Sequence, residues 1–154
     1  MSHPQRIPLY TLAPKTLKAM IDLTSAFRHG PLGERLVELV FLRVSQMNGS
    51  GPCADMHWRE LVKQGVEPRH LNAISGWRAS PFFSERERAA LAWAEAVNAL
   101  PRSDATDAAW EQLRAHFSDA DIAELVCAIA TVRGWNGIHR SLRTAIPEQP
   151  LPGL

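Results

Sequence analysis

Four residues within a twenty-residue stretch could do chemistry together: Glu38, Ser50, Cys53 and His57. Cys53 follows Pro52 at the expected start of a helix. Unpaired backbone N–H groups and the helix dipole favour negative charge there, which predicts a lowered thiol pKa and an enlarged thiolate fraction. His57 lies four residues on, on the same helix face, where an imidazole can take or relay the thiol proton. Glu38 is the only acid in the run Leu36–Leu42, so apolar surroundings are expected to raise its pKa and suit it to shuttling protons near neutrality. Spacing alone does not bring Glu38 to Cys53. A short turn between two antiparallel helices would make them neighbours.

The elements that must position these residues read as helices throughout. Leu17, Met20, Ile21, Leu23, Thr24 and Phe27 recur at helical spacing behind Pro14, and Gly30-Pro31 closes that segment. Leu32 to Asn48 is apolar nearly all round, which predicts a central buried helix ending at Asn48-Gly49. A third segment opens at Ser50-Gly51-Pro52 and stops before Gly65. Pro68 to Ile74 predicts a short helix and Gly76 to Pro81 a loop. Ser84 with Glu87 gives a capping box for a helix carrying Leu91, Trp93, Ala94, Val97 and Leu100. Asp104 or Thr106 begins a short helix reaching Phe117. Ser118 begins the last long one, which Gly134 and Gly137 could bend. No segment alternates with period two, so the expectation is a single all-α domain of about seven helices. Residues 1–13 read as an irregular arm, 14–146 as the helical domain, and 147–154 as a proline-rich tail.

Composition narrows the function. The chain has 154 residues, 45% of them apolar and 21% charged, which excludes a disordered chain. A net charge of +1, without a basic cluster, argues against nucleic acid or an acidic membrane surface as partner. Two cysteines, Cys53 and Cys127, are too few for a disulfide framework. With no apolar run of spanning length and no signal-like start, the expectation is a cytoplasmic protein.

Each residue also has a structural reading. Ser50 suits a helix N-cap, Asp55 a first-turn acid, and Glu38 a carboxylate paired with Arg35 or Arg43. Cys127, in Leu125-Val126-Cys127-Ala128-Ile129, reads as an inert core residue. Trp58, Trp77, Trp93, Trp110 and Trp135 read as core or interface anchors. His3, His29, His70, His116 and His139 form no usable arrangement. A metal site of Cys53, His57 and Glu38 or Asp55 is the main alternative chemistry, but one thiol is thin for zinc, and no cofactor or metal is expected.

The pattern Glu38-x11-Ser50-x2-Cys53-x3-His57 resembles the active-site motif of the AhpD-like alkyl hydroperoxidases, within the carboxymuconolactone decarboxylase superfamily. The resemblance extends through Leu42–Gly49 and Asp55-Met56-His57, then Pro81–Leu91, Trp135-Asn136 and Leu142-Arg143. It covers roughly residues 14–146 and implies an AhpD-like helical bundle. By that resemblance Cys53 attacks peroxide and becomes a sulfenic acid, and Glu38 with His57 forms the proton relay. The family's first cysteine, the resolving one, is replaced here by Ser50, which cannot form a disulfide. Pro52 stands where some relatives carry a second relay histidine.

The resemblance therefore implies reduction of organic hydroperoxides, with an external thiol as reductant and a homo-oligomer, trimer or hexamer, as the assembly. Ser50 keeps a second reading open, a catalytically impaired or redox-sensing binding module on the same fold. Carboxymuconolactone decarboxylation ranks third, because it would leave the Cys53–His57 pair without a purpose.

Overall fold

Pro14 supplies the preset backbone of a first helical turn, and helix α2 runs from it over Pro14–Arg28, burying Leu17, Thr24 and Phe27 on one side. In the computed structural model, which describes residues 4–149, one helical turn precedes it, α1 at Leu9–Leu12. The segment expected to be irregular thus contains a short helix. Helix α3, Glu34–Met47, is buried almost continuously from Leu36 to Ser45, as its all-round apolar pattern predicts.

Helix α4 spans Gly51–Lys63 and α5 Pro68–Asn72, and a 3-10 segment at Ala73–Ala79 takes in the end of the expected short helix and the start of the expected loop at Gly76. Helix α6, Glu85–Ala99, begins with the expected reciprocal capping box between Ser84 and Glu87. Helix α7, Asp107–Arg114, is capped by Thr106 and ends three residues short of Phe117. Helix α8, Asp119–Leu142, is capped by Ser118 and runs unbroken through Gly134 and Gly137. Eight α-helices, and no strand, occur among the described residues. The proline-rich tail is described only to residue 149, and residues 150–154 and 1–3 lie outside the described part.

The core forms on two sides of α3. Phe27, Val37, Val40, Phe41 and Val44 pack with α6, α7 and α8 residues such as Trp93, Leu113, Leu125 and Ile129. Leu39 and Leu42 pack on the other side with Leu61, Leu71, Ile74, Trp77, Phe83 and Leu91. Water is thereby excluded from most of α3 between Leu36 and Ser45, so a polar group buried there must find a partner within the protein.

Two helices carry stripes that change character along their length. The buried face of α4 is Cys53, His57 and Leu61, at four-residue spacing. That of α8 begins apolar with Ile122, Leu125, Ile129 and Val132 and ends polar with Asn136 and His139. Both polar ends meet beside α3. Cys127 lies two residues from Leu125, about 200° round the helix, and is exposed. The core position expected for it is wrong, because the apolar run from Leu125 to Ile129 spans more than one face. Trp77 and Trp93 are buried, whereas Trp58 is one of the larger exposed apolar residues.

Candidate active site

The turn between α3 and α4 builds the site. Gly49 adopts φ 63°, a left-handed conformation that favours glycine, and Ser50 N–H donates to Ser45 O at 3.0 Å. Arg140 reaches across from α8 to donate to Asn48 O at 2.7 Å, which satisfies a carbonyl at the α3 C-terminus. The two helices leave this turn antiparallel and packed together, so Glu38 and His57 face each other.

The expected juxtaposition is present. His57 Nδ1 donates to Glu38 Oε2 at 2.7 Å, with both side chains almost fully buried. The second carboxylate oxygen of Glu38 accepts from Arg28 Nε at the end of α2. The structural pairings considered for Glu38 do not form. Arg35 binds Glu87 and Arg43 binds Glu95 instead. Burial opposes ionisation of Glu38, but the His57 hydrogen bond and the Arg28 guanidinium outweigh it and hold the carboxyl below its usual range. The expected raised pKa is therefore corrected. The apolar run around Glu38 was legible in the sequence, but the two donors from other helices were not.

The Cys53 thiol is corrected in the opposite direction. Burial pushes its pKa up, only partly countered by the neighbouring Ser50 and Asn136 side chains. The helix N-terminus was expected to dominate, but a sulfur this deeply buried responds more strongly to lost solvation. Ser50 occupies the N-cap position without capping: its hydroxyl makes no cap bond and is buried without a hydrogen-bond partner of ordinary geometry. Asp55 pairs with Arg59 one turn on, a local helix contact.

Below the sulfur lies an amide network. Asn136 donates to Ser45 Oγ at 2.9 Å and accepts from Asn48 at 3.0 Å, and Asn48 and Asn98 exchange hydrogen bonds at 3.0 Å. These amides join α3, α6 and α8 and fix the side chain of Asn136 against Cys53.

Above the sulfur is a cavity of about 240 Å³. Ile21, Phe41, Met56, Val132 and Trp135 give it apolar walls, and Cys53, His57, Arg28, His139 and Tyr10 supply polar groups. Phe41 packs against the His57 ring at 5.1 Å between centroids. Tyr10 is half exposed, and burial and the nearby Cys53 raise its pKa. Trp58 does not line this cavity. Cys53 and His57 share it without a hydrogen bond between them.

Sequence reasoning missed Arg28, Tyr10 and His139 as residues of the site. Arg28 and Tyr10 had no local signal. His139 did: it lies three residues after Asn136 and seven after Val132, on the continuation of the buried stripe of α8.

A helical bundle with an acid–histidine pair and a cysteine on adjoining antiparallel helices has the AhpD-like fold. The chain belongs to the carboxymuconolactone decarboxylase family, whose model matches residues 14–96. The uncharacterized protein YdfG of Bacillus subtilis is 31% identical over 134 residues, 87% of this chain and 91% of that one. A protein of unknown function from Agrobacterium tumefaciens, proposed as an antioxidant defence protein AhpD, superposes with TM-score 0.90 at 36% identity, over 95% of this chain and all of that one. The debrominase Bmp8 in complex with 2,3,4-tribromopyrrole superposes with TM-score 0.74 at 22% identity, over 86% of this chain and 70% of that one. At that identity the likeness is one of fold alone. Family and fold together are compatible with a peroxidase-related role. No helix among the described residues is long and apolar enough to cross a membrane.

Proposed function

We propose that the protein is a thiol-dependent peroxidase that reduces organic hydroperoxides through Cys53. The observation that carries this reading is the buried Glu38–His57 pair, whose His57 lines the same apolar cavity as the Cys53 thiol. An ionised carboxylate only accepts hydrogen bonds, so Glu38 fixes the proton on His57 Nδ1 and leaves Nε2 as the base. Because no bond joins His57 to Cys53 directly, the thiol proton crosses the cavity through a water or the peroxide itself.

The thiolate then attacks one peroxide oxygen. An S–O bond forms, the O–O bond breaks, and the departing alkoxide takes the proton from His57 and leaves as an alcohol. Cys53 becomes a sulfenic acid. The apolar walls favour an organic substituent on the peroxide. Burial keeps the resting thiol protonated, so it is activated chiefly when the relay and a substrate act together.

Reduction needs a thiol from outside the site. Ser50 holds the resolver position, and Cys127 is exposed on α8. One external thiol condenses with the sulfenic acid, releasing water and leaving a mixed disulfide. A second external thiol releases Cys53 and departs as the disulfide of the reductant. The protein is further proposed to act in the cytoplasm and to assemble as a homo-oligomer, trimer or hexamer, the assembly being supported by the apolar surface that Leu12 and Leu23 of α1 and α2 leave exposed.

A redox-sensing or impaired module is the second reading, favoured by Ser50 together with the raised thiol pKa. Intact-mass measurement with a sulfenic-acid trap, after a stoichiometric dose of cumene hydroperoxide, tests both. A trapped adduct on Cys53, with sustained turnover when a small thiol is added, is expected. An adduct without turnover favours the sensor, and an unmodified Cys53 removes the peroxidase reading.

A further inference from the structure

Five buried side-chain atoms among the described residues lack a hydrogen-bond partner. Two of them, Arg28 Nη2 and His139 Nδ1, belong to residues that line the Cys53 cavity, a third, Ser50 Oγ, belongs to the residue whose hydroxyl lies against the sulfur, and the other two are on Gln64 and Trp93. A buried polar atom left unpaired has lost its solvation without a compensating hydrogen bond. Two unpaired polar side chains, Arg28 and His139, on the wall of one cavity mark a place where a bound molecule completes the bonding.

His139 is the most informative of the three. It is nine-tenths buried on α8 and lines the cavity. It sits one turn beyond Asn136, whose amide lies against the Cys53 sulfur. Trp135 stacks on it, with centroids 5.6 Å apart and an interplanar angle of 15°, which fixes the ring plane. A histidine that merely fills space usually bonds a backbone group through a ring nitrogen, and this one makes no such bond. Burial also disfavours its cationic form. A neutral imidazole offers one N–H without placing a second cation beside the thiolate.

We propose that His139 is a further catalytic residue: its N–H binds the peroxide oxygen that departs as alkoxide, on the wall of the cavity formed by α8. This rests on the peroxidase reading. As the S–O bond forms and the O–O bond breaks, negative charge collects on the departing oxygen. His139 stabilises that charge by hydrogen bonding, and the proton that finally neutralises it is the thiol's own, returned by His57. His139 thus changes neither the proton nor the electron count of the step. It acts only where charge develops, which is where a preorganised donor has most effect.

The test compares two reactions of Cys53 in the full chain. Oxidation by cumene hydroperoxide releases an oxygen anion, whereas alkylation by iodoacetamide needs only the thiolate. His139→Phe is expected to slow oxidation about 10²-fold and to change alkylation by less than about twofold. His139→Gln, which keeps an N–H donor, is expected to recover oxidation to within about tenfold of the native protein. Native alkylation rates also report that both variants retain the pocket. The proposal is overturned if His139→Phe oxidises at the native rate, if oxidation and alkylation slow together, or if His139→Gln is as slow as His139→Phe. A native protein that is alkylated but never oxidised overturns the peroxidase reading itself, and this role with it.

Discussion

Two glutamates, Glu38 and Glu95, are held in similar ways and differ in what holds them. Glu38 accepts from Arg28 and His57, and Glu95 from Arg43 Nε at 2.8 Å, Trp77 Nε1 at 2.9 Å and Arg78 Nη1 at 2.6 Å. In both, burial opposes ionisation and the donors outweigh it, so both carboxyls lie below their usual range. The partners of Glu95 are two guanidiniums and an indole, which only donate, and the pocket it lines contains no cysteine. Its cluster ties α3, the 3-10 segment and α6 together. Glu38 has one partner that can exchange a proton and one that keeps the carboxylate charged. A depressed pKa therefore does not by itself mark a working acid. The titratable partner does.

The largest effect that could break this contrast is at the sulfur. Cys53→Ser should abolish peroxide-dependent trapping of a sulfenic acid by intact mass, while Cys127→Ser should leave it unchanged. Loss of the adduct in Cys127→Ser instead would move the chemistry to the exposed face of α8.

Next comes the pair itself. Glu38→Gln should slow oxidation of Cys53 by about 10²-fold, because the amide cannot stabilise a protonated His57. Glu95→Gln should oxidise at the native rate and lose about 2 kcal/mol of stability in urea unfolding. Equal kinetic losses in the two variants would show that Glu38, too, is only structural.

A smaller effect separates the two sites by pH. A carboxyl whose folded pKa is depressed contributes stability that is present above its unfolded value and is lost as pH falls through the folded one. Glu38 and Glu95 should therefore each steepen the acid limb of a stability–pH profile below about pH 4.5, and each Gln variant should flatten it. The Cys53 thiol has the opposite sign of shift. Its folded pKa is raised, so stability is expected to fall slightly as pH rises through the ordinary thiol range of about 8.5. Alkylation of Cys53 by iodoacetamide should accordingly have its midpoint above that range. A midpoint below it would mean that the helix N-terminus outweighs burial after all.

The smallest expected change is at Ser50. Ser50→Cys should leave the first oxidation step within about twofold of native and convert the sulfenic acid to an internal disulfide, seen as loss of the trapped adduct. Persistence of the adduct would place position 50 out of reach of the sulfur.

Much of the fold could be read from local pattern. The apolar run of α3, the Ser84 box, the Ser118 cap and the Gly49 turn act over one or two helical turns, and their signals survive in a linear sequence. The errors share a cause. Cys127 is exposed although it stands in an apolar run, because residues 125–129 span more than one helix face. The 3-10 turn over residues 76–79, where the sequence predicts a loop, has no local signal because its segment packs against α3 from far away in the chain.

The sequence by itself determined that Cys53 and His57 share a helix face, because 3.6 residues per turn leaves no other outcome at a spacing of four. It also determined that Ser50 cannot act as a resolving thiol. The tertiary structure alone decided that Arg28 reaches Glu38, that Asn136 lies on the sulfur, and that His139 faces the same cavity. It decided the sign of both pKa shifts as well. Such a shift is a sum of burial and charges over every packed neighbour, and α2, α3, α4 and α8 contribute those neighbours from segments up to a hundred residues apart.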